Sequence, residues 1–490
     1  MSDVAHPAPR VAPVRLSARR LTAATTINLA GRVVGVAMGI GVAAILARSL
    51  GVATFGRLSL ALALVGVAGT AGDFGLTQVA VRDMASRPEQ RPALLGSLVT
   101  LRLLVGAVLT AGVVAVVAIM TPSGSSRVMG VLIALTIPVA ALAALQAGAQ
   151  ARLRPELMTL VTLGQSVAWL AVVAALAATG ASPAWYGAGF VAAALMQAGL
   201  AWIVLRPLSS ISWGLRRGVA WPLVRSALPL GLAGLFVTAY YRIDGVILYQ
   251  LKGPEQAAYY AAAYRFLDVL QLFPATALVV LLPLLASLGR HGEEQRRQRV
   301  IQAALVLLGV VALPIVVGGM LMSGRIVHLL YGARYDPSGK LLAILLPVFL
   351  SICMGYVFTA ILIASKRVRP YAVVAMVAAV ANVAANLLLI PRYGAEAAAW
   401  TTLATEVPVM IAMVLLARRA FPVALPWSRW ARSACATAVM AAVVFAVRSQ
   451  PLGLVIAAAI AAFAGSSVAF GALRRDDVRL LLSRSEGLHG

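Results

Sequence analysis

The stretch LPLGLAGLFVTAYYRIDGVILYQL, Leu228–Leu251, decides the fold: it is continuously apolar apart from Arg242 and Asp244. Crossing about 30 Å of hydrocarbon takes about 20 helical residues at 1.5 Å each, and this run is long enough. A membrane strand would alternate apolar and polar residues instead, and the run does not alternate. Its two charges need an explanation, because a charge at the bilayer centre costs about 2.5–3.5 kcal/mol.

Working outward, thirteen similar runs flank it, which makes fourteen near 24–47, 58–81, 94–120, 128–150, 157–180, 185–205, 228–250, 256–288, 300–323, 341–364, 371–390, 397–417, 434–447 and 453–473. They are rich in helix-favouring Ala and Leu. The chain of 490 residues is 61% hydrophobic and 12% charged, with a mean hydropathy of +0.92. Soluble domains are roughly half apolar and a quarter charged. The expected fold is an all-α integral membrane protein of about 14 transmembrane helices.

The formal charge of +25 invites a nucleic-acid reading, which requires the basic residues to share one soluble face. They are sorted by loop instead. With the N-terminus inside, alternate segments carry 28 Lys and Arg, against nine in the segments between them. That asymmetry follows the positive-inside rule and places both termini in the cytoplasm, with no nucleic-acid partner expected. The basic rims would attract anionic membrane lipids.

The opening MSDVAHPAPRVAPVRLSARR is Pro-rich and basic without an apolar centre, so residues 1–23 read as a disordered cytoplasmic arm rather than a signal peptide. Six runs over 24–205 and six over 228–417 flank an amphipathic cytoplasmic linker, 206–227, with two Trp and four Arg. Residues 418–473 add a helix pair and 474–490 a cytoplasmic tail. Six plus six helices around a linker is the pattern of transporters whose two lobes rock about a midplane site. Gly31, Gly35 and Gly39 recur every four residues in the first run, a smooth face for packing or a hinge. Cys353 and Cys435 have no metal-ligand spacing, and His6, His291, His328 and His489 fall in expected loops or tails. No metal or cofactor is expected.

Three blocks carry a family likeness: LGVATFGRLSLALALVGVAGTAGDFGLTQVAVRDMA (Leu50–Ala85), ILYQLKGPEQAAYYAAAYRFLDVLQLFPATALVVLLPLLASLGR (Ile247–Arg290) and KRVRPYAVVAMVAAVANVAANLLLIPRYGAEAAAWTTLATE (Lys366–Glu406). Over residues 20 to 420 the chain resembles bacterial polysaccharide and oligosaccharide-lipid flippases of the Wzx type, within the superfamily of multidrug, oligosaccharide-lipid and polysaccharide exporters. The resemblance implies two six-helix lobes in a V around a central cavity, and movement of an undecaprenyl-pyrophosphate-linked sugar across the cytoplasmic membrane. It also implies polysaccharide-assembly partners. Glu396, where the family has a small residue, and the added helix pair depart from it. Fourteen helices also occur in related flippases for lipid-linked peptidoglycan precursors, which leaves that substrate open.

Eight charges fall inside expected helices: Arg32, Arg102, Arg242 and Arg265, and Asp73, Asp244, Asp268 and Glu406. Guanidinium groups stay ionised and bind phosphate oxygens bidentately, so the four arginines are the expected binding groups for the pyrophosphate that the resemblance implies. Arg32 and Arg102 lie close enough to the inner surface to snorkel instead, and Arg265 and Asp268 are spaced to pair on one helix. Tyr240, Tyr241, Tyr259, Tyr260, Tyr264 and Tyr356 offer ring faces to a sugar or pack in the core. With no GxxxxGK[ST] loop for nucleotide hydrolysis, an ion gradient is the expected drive, and the four carboxylates are candidate H+ or Na+ sites or static counter-ions. Asp73 is preferred because its own helix gives it no partner.

Two rivals differ in chemistry. Export of cationic drugs would favour carboxylates over arginines. A membrane enzyme such as a polysaccharide polymerase, ligase or glycosyltransferase would need an exposed catalytic loop, yet the longest expected outer loop, SGRIVHLLYGARYDPSGK (Ser323–Lys340), holds only His328 and Asp336 as candidate groups.

Overall fold

A computed structural model describes residues 18–152, 155–206, 211–290, 293–365, 367–421 and 423–472. The expected cytoplasmic tail and most of the expected N-terminal arm lie outside these residues. Within them the chain is helical, as a backbone surrounded by hydrocarbon must be to satisfy its own hydrogen bonds. The first half comprises α1 (Ala18–Leu50), α2 (Val52–Asp73), α3 (Leu76–Ser86), α4 (Arg91–Met120), α5 (Ser125–Ala134), α6 (Thr136–Leu142), α7 (Gln146–Ala151), α8 (Pro155–Ala178) and α9 (Pro183–Leu205). The second comprises α10 (Arg217–Leu270), α11 (Leu272–Arg290), α12 (Glu294–Tyr331), α13 (Pro337–Ala364) and α14 (Val368–Ala420), followed by α15 (Trp427–Ala446) and α16 (Leu452–Ala469).

Two of these long helices are hairpins. Arg242 lies 3.3 Å from Asp268, whereas 26 intervening steps of straight helix would hold them about 39 Å apart. The chain doubles back at Gly253, whose φ of 84° suits glycine, with Pro254 next to it. In α14 the Asn382 amide reaches the Thr405 hydroxyl at 3.2 Å, and the reversal falls at Gly394 with φ 62°. By length and apolarity nine described helices qualify as membrane spans, or ten if the bent pair Arg217–Leu232 and Gly234–Leu278 counts as one. The fourteen runs of the sequence count the hairpin arms separately and add α1 and α15.

The outward surface is apolar, with Val108, Ile119, Leu388 and Val468 projecting where acyl chains would lie. The start of α10 belongs to the first half: Leu223 and Ala227 pack with α3, α4 and α9. One core continues from Leu46, Ala47 and Phe55 of α1 and α2 into α10, α12 and α13. There Arg48 donates to the carbonyls of Leu330 at 3.0 Å and Leu329 at 2.5 Å. Tyr335 donates to the Ala47 carbonyl at 3.3 Å and meets Phe55 edge-on. The halves are therefore locked at the end expected to face outward. The expected outer loop 323–340 is mostly helix, since α12 runs to Tyr331 and α13 begins at Pro337, and His328 stands on α12 rather than in a loop. Helices α15 and α16 rest on α12, where the Trp430 indole donates to the Leu305 carbonyl at 3.2 Å.

Candidate functional site

A cavity of about 460 Å³ lies between the halves. Its first-half walls are Gly31, Gly35, Val36 and Gly39 of α1, Gln146 of α7, and Met158, Thr159, Thr162, Leu163 and Ser166 of α8. The facing wall is Arg265, Asp268 and Val269 of the second α10 arm with Leu272 of α11. Gly39 faces Arg265: a methyl group there would stand 3.4 Å from its Nη2.

Asp268 is shared. Arg242 reaches it through both terminal nitrogens, at 3.3 and 3.4 Å, and Arg265 through one at 3.8 Å from the preceding turn. Two cations against one carboxylate leave a local charge of +1, and the looser Arg265 is the guanidinium on the cavity wall. Such half-exposed pairs contribute at most about 1 kcal/mol, so little is lost when Arg265 turns to a ligand. Arg242 and Asp244 diverge as residues two apart on a helix do. Neither lines the cavity; Arg242 acts on it only through Asp268.

The other expected site residues fall elsewhere. Arg102 pairs with Asp73 at 3.2 Å and donates to the Thr77 hydroxyl at 3.1 Å, while Thr77 donates to Asp73. Residues Phe74 and Gly75, both left-handed, break α2 from α3 and bring Asp73 and Thr77 together against α4. Arg102 therefore does not snorkel, and Asp73, preferred for having no partner on its own helix, has one on α4. The side chain of Arg32 lies outside the described residues.

Asp244 and Glu406 are buried, 3% and 6% exposed. Among the described residues neither has a cation within 4 Å. Asp244 accepts from the Tyr260 hydroxyl and from the Gly245 amide at 2.7 Å, and Tyr260 touches the Thr402 hydroxyl at 3.1 Å. Glu406 accepts from Tyr240 at 3.0 Å, and Tyr240 also meets Thr405, which receives the Asn382 amide. Asn386 donates to Asn382 at 2.9 Å, yet among the described residues its own carbonyl oxygen and the Thr401 hydroxyl are buried without a hydrogen-bond partner. Buried oxygens without partners are costly, and oxygen is the donor type that hard cations take.

Charges and tyrosines stand out in the sequence, whereas the lining hydroxyls do not. None of the six tyrosines lines the cavity; Tyr260 and Tyr264 are core, and Tyr259 packs edge-on against Tyr335. Thr159, Thr162 and Ser166 do line it, and their spacing of three and four inside an apolar run was the available signal. Asn382, Thr401 and Thr402 were missed because no sequence distance reveals a hairpin's pairing.

A second cavity, of about 490 Å³, is almost wholly apolar and lies among α10, α12, α13, α15 and α16, with Phe266, Pro314, Met322, Leu346, Met440 and Phe463 in its walls. Val269 belongs to both cavities.

The sequence profile described as "Polysaccharide biosynthesis protein" matches residues 21–289, and the one described as "MatE" matches residues 229–388. No curated protein matches by sequence. Among solved structures, "Lipid II flippase MurJ, inward closed conformation" is 13% identical, with a TM-score of 0.76 over 94% of this chain and 100% of that one. An inward-facing multidrug resistance MATE family transporter of the MOP superfamily is 11% identical, with a TM-score of 0.61 over 80% and 97%. A MOP superfamily transporter from Pyrococcus furiosus is 11% identical, with a TM-score of 0.56 over 82% and 94%. At these identities the likeness is one of fold, and the profile match covers more than half of the chain. The chain belongs to the polysaccharide biosynthesis protein family and is a multi-pass membrane protein with the fold of the MOP superfamily transporters.

Proposed function

We propose that the protein carries an undecaprenyl-pyrophosphate-linked oligosaccharide or polysaccharide precursor across the cytoplasmic membrane by alternating access. The lobes 24–205 and 228–417 would rock against each other, with 206–227 joining them, 418–473 as the added pair and both termini cytoplasmic. One observation carries this reading: a cationic, hydroxyl-lined cavity and an apolar one share the wall residue Val269. A lipid-linked sugar has the same division, an anionic polar head joined to a long hydrocarbon tail. Arg265, with Arg242 and Asp268 behind it, would hold the pyrophosphate, and the space beside α15 and α16 the tail. Arg32 and Arg102 are proposed as further cations toward the cytoplasmic entrance. Polysaccharide-assembly proteins would supply and take up the substrate.

The drive is proposed to be H+ or Na+ held at Asp244, with Glu406 as a second position. Among the described residues both are buried carboxylates with no cation within 4 Å, and each is linked through a tyrosine to a threonine hydroxyl of α14. An ion biases the equilibrium between two states only if its affinities for them differ, and a site spanning the α10 and α14 hairpins would provide that difference. Asp73 and Asp268 serve as counter-ions to Arg102 and Arg242.

A second reading, a lipid-linked peptidoglycan precursor as cargo, is favoured by the 94% of this chain that aligns with a lipid II flippase. Multidrug export is disfavoured by the cationic wall. The test is purified protein in vesicles given fluorescent undecaprenyl-pyrophosphate sugars, with and without a peptide stem. Movement of a stemless lipid supports the first reading, movement of stemmed lipid alone supports the second, and movement of neither defeats both.

A further inference from the structure

We infer that Thr162 and Ser166 of α8 form a sugar-reading wall, a row of hydrogen-bond acceptors that takes the hydroxyl or acetamido N–H donors of the first sugar while Arg265 holds the phosphate. This rests on the proposed function and adds which residues distinguish a glycosylated lipid from a bare one.

Both side chains line the cavity. A hydroxyl has one proton and two lone pairs. Thr162 donates its proton to the Met158 carbonyl at 2.9 Å, and Ser166 donates its own to the Thr162 carbonyl at 2.9 Å. Such back-bonding one turn along a helix uses the donor and leaves the oxygen free to accept. The two oxygens stand one turn apart, about 6 Å along the axis, a spacing that two groups of one sugar can bridge.

Phosphate oxygens only accept, so a row of acceptors gives them nothing. Arginine only donates, so it gives a sugar hydroxyl's proton nothing. The two walls therefore sort the substrate: Arg265 on the second half takes the phosphate, and Thr162 and Ser166 on the first half take the sugar. Because the walls belong to different halves, a lipid that carries both groups bridges them. A lipid without its sugar binds one half only. Gly35 of α1, on the same half as α8, also lines the cavity and has nothing within 4 Å of where a side chain would begin.

The test uses the full chain in nanodiscs and two probes, undecaprenyl pyrophosphate and undecaprenyl pyrophosphate carrying one N-acetylglucosamine. The Thr162→Val and Ser166→Ala pair removes both acceptors with little change in shape. Affinity for the glycosylated lipid should fall about tenfold, the value of two modest hydrogen bonds, and affinity for the bare lipid should stay within about twofold. Thr162→Ser in place of Thr162→Val should recover part of the loss. Where the pair lowers the melting temperature, the single variants carry the comparison. Equal losses for both lipids, or no loss for either, overturns the inference and leaves the transport reading standing. Failure of the unaltered protein to bind either lipid overturns the transport reading itself.

Discussion

Arg242 grips both oxygens of Asp268 across the Gly253 hairpin, at 3.3 and 3.4 Å, and so leaves Arg265 with only a 3.8 Å hold on the same carboxylate. The tight pair acts as scaffold, and the loose arginine is available to cargo. Charge then decides the sign of two substitutions. Arg265→Gln removes the cation on the cavity wall and should weaken binding of undecaprenyl pyrophosphate about tenfold or more. Asp268→Asn removes the competing anion, so the same lipid should bind at least as tightly while its release and net transport slow. Titration of the lipid into each variant checks both, and weaker binding by Asp268→Asn would assign the carboxylate to the binding surface itself.

The open space beside Gly35 gives a steric test that leaves the protein's own packing untouched. A Cβ there would meet nothing within 4 Å beyond its own helix backbone, and Gly35 lines the cavity. Gly35→Leu should therefore insert and melt like the unaltered protein while transport drops at least about tenfold. By contrast, Gly31→Ala sets a methyl 2.3 Å from the Thr159 side chain and should disturb the α1–α8 contact instead. Transport assays paired with melting curves separate the two, and full transport by Gly35→Leu would mean that cargo takes another route.

The helices and the charged residues within them were legible because hydrocarbon imposes length and apolarity on every span. What charges do was less legible, since partners arise from helix packing. Asp73 looked alone until the break at Phe74 and Gly75 set it against Arg102. Arg242, the deepest cation by position, is occupied by Asp268, while Arg265 faces the cavity. Neutral groups were harder still: Thr162, Ser166, Asn386 and Thr401 carry no charge to betray them, and only three-dimensional placement separates a lining hydroxyl from a back-bonded one in the core.

The contrast between Asp73 and Asp244 gives a prediction about energy coupling. Asp73 neutralises Arg102, whose side chain is 17% exposed, so Asp73→Asn strands a largely buried cation and should cost about 1–3 kcal/mol of stability. Dependence on the ion gradient should survive. Asp244 has no cation within 4 Å among the described residues, so Asp244→Asn should leave the melting temperature nearly unchanged and remove the dependence on H+ or Na+. Transport in vesicles under imposed gradients, read beside thermal melts, tests the pair. Retained gradient dependence in Asp244→Asn and Glu406→Gln would move the coupling site elsewhere.

The apolar cavity beside α15 and α16 makes its own prediction. Ala464 lines it, and Ala464→Trp would occupy space proposed for the lipid tail. Affinity for a long-chain polyprenyl pyrophosphate should drop about tenfold, while that for a two-isoprene analogue, which ends near Val269, should hardly change. Equal sensitivity of the two chain lengths would mean that the tail stays in the surrounding bilayer.

The outer closure rests on a backbone approach that a single methyl group would disrupt. A Cβ on Gly56 of α2 would stand 1.8 Å from the carbonyl oxygen of Pro254 at the tip of the α10 hairpin, far inside contact distance, and the opposing atom is backbone that cannot rotate away. Gly56→Ala should therefore push α2 from the hairpin and loosen the end where Arg48 binds the Leu329 and Leu330 carbonyls. Arg48→Ala removes those charge-assisted bonds, each worth about 1.5–3 kcal/mol at most and less where the guanidinium is exposed, so its effect should be the smaller. A reporter cysteine at Ala47, which the Tyr335 hydroxyl caps, in a background without Cys353 and Cys435, should react faster with an impermeant thiol reagent added outside in both variants. The order expected is Gly56→Ala above Arg48→Ala above the unaltered protein. Unchanged labelling in Gly56→Ala, with the protein folded and inserted, would show that the closure yields elsewhere and that these contacts do not hold the outer end shut.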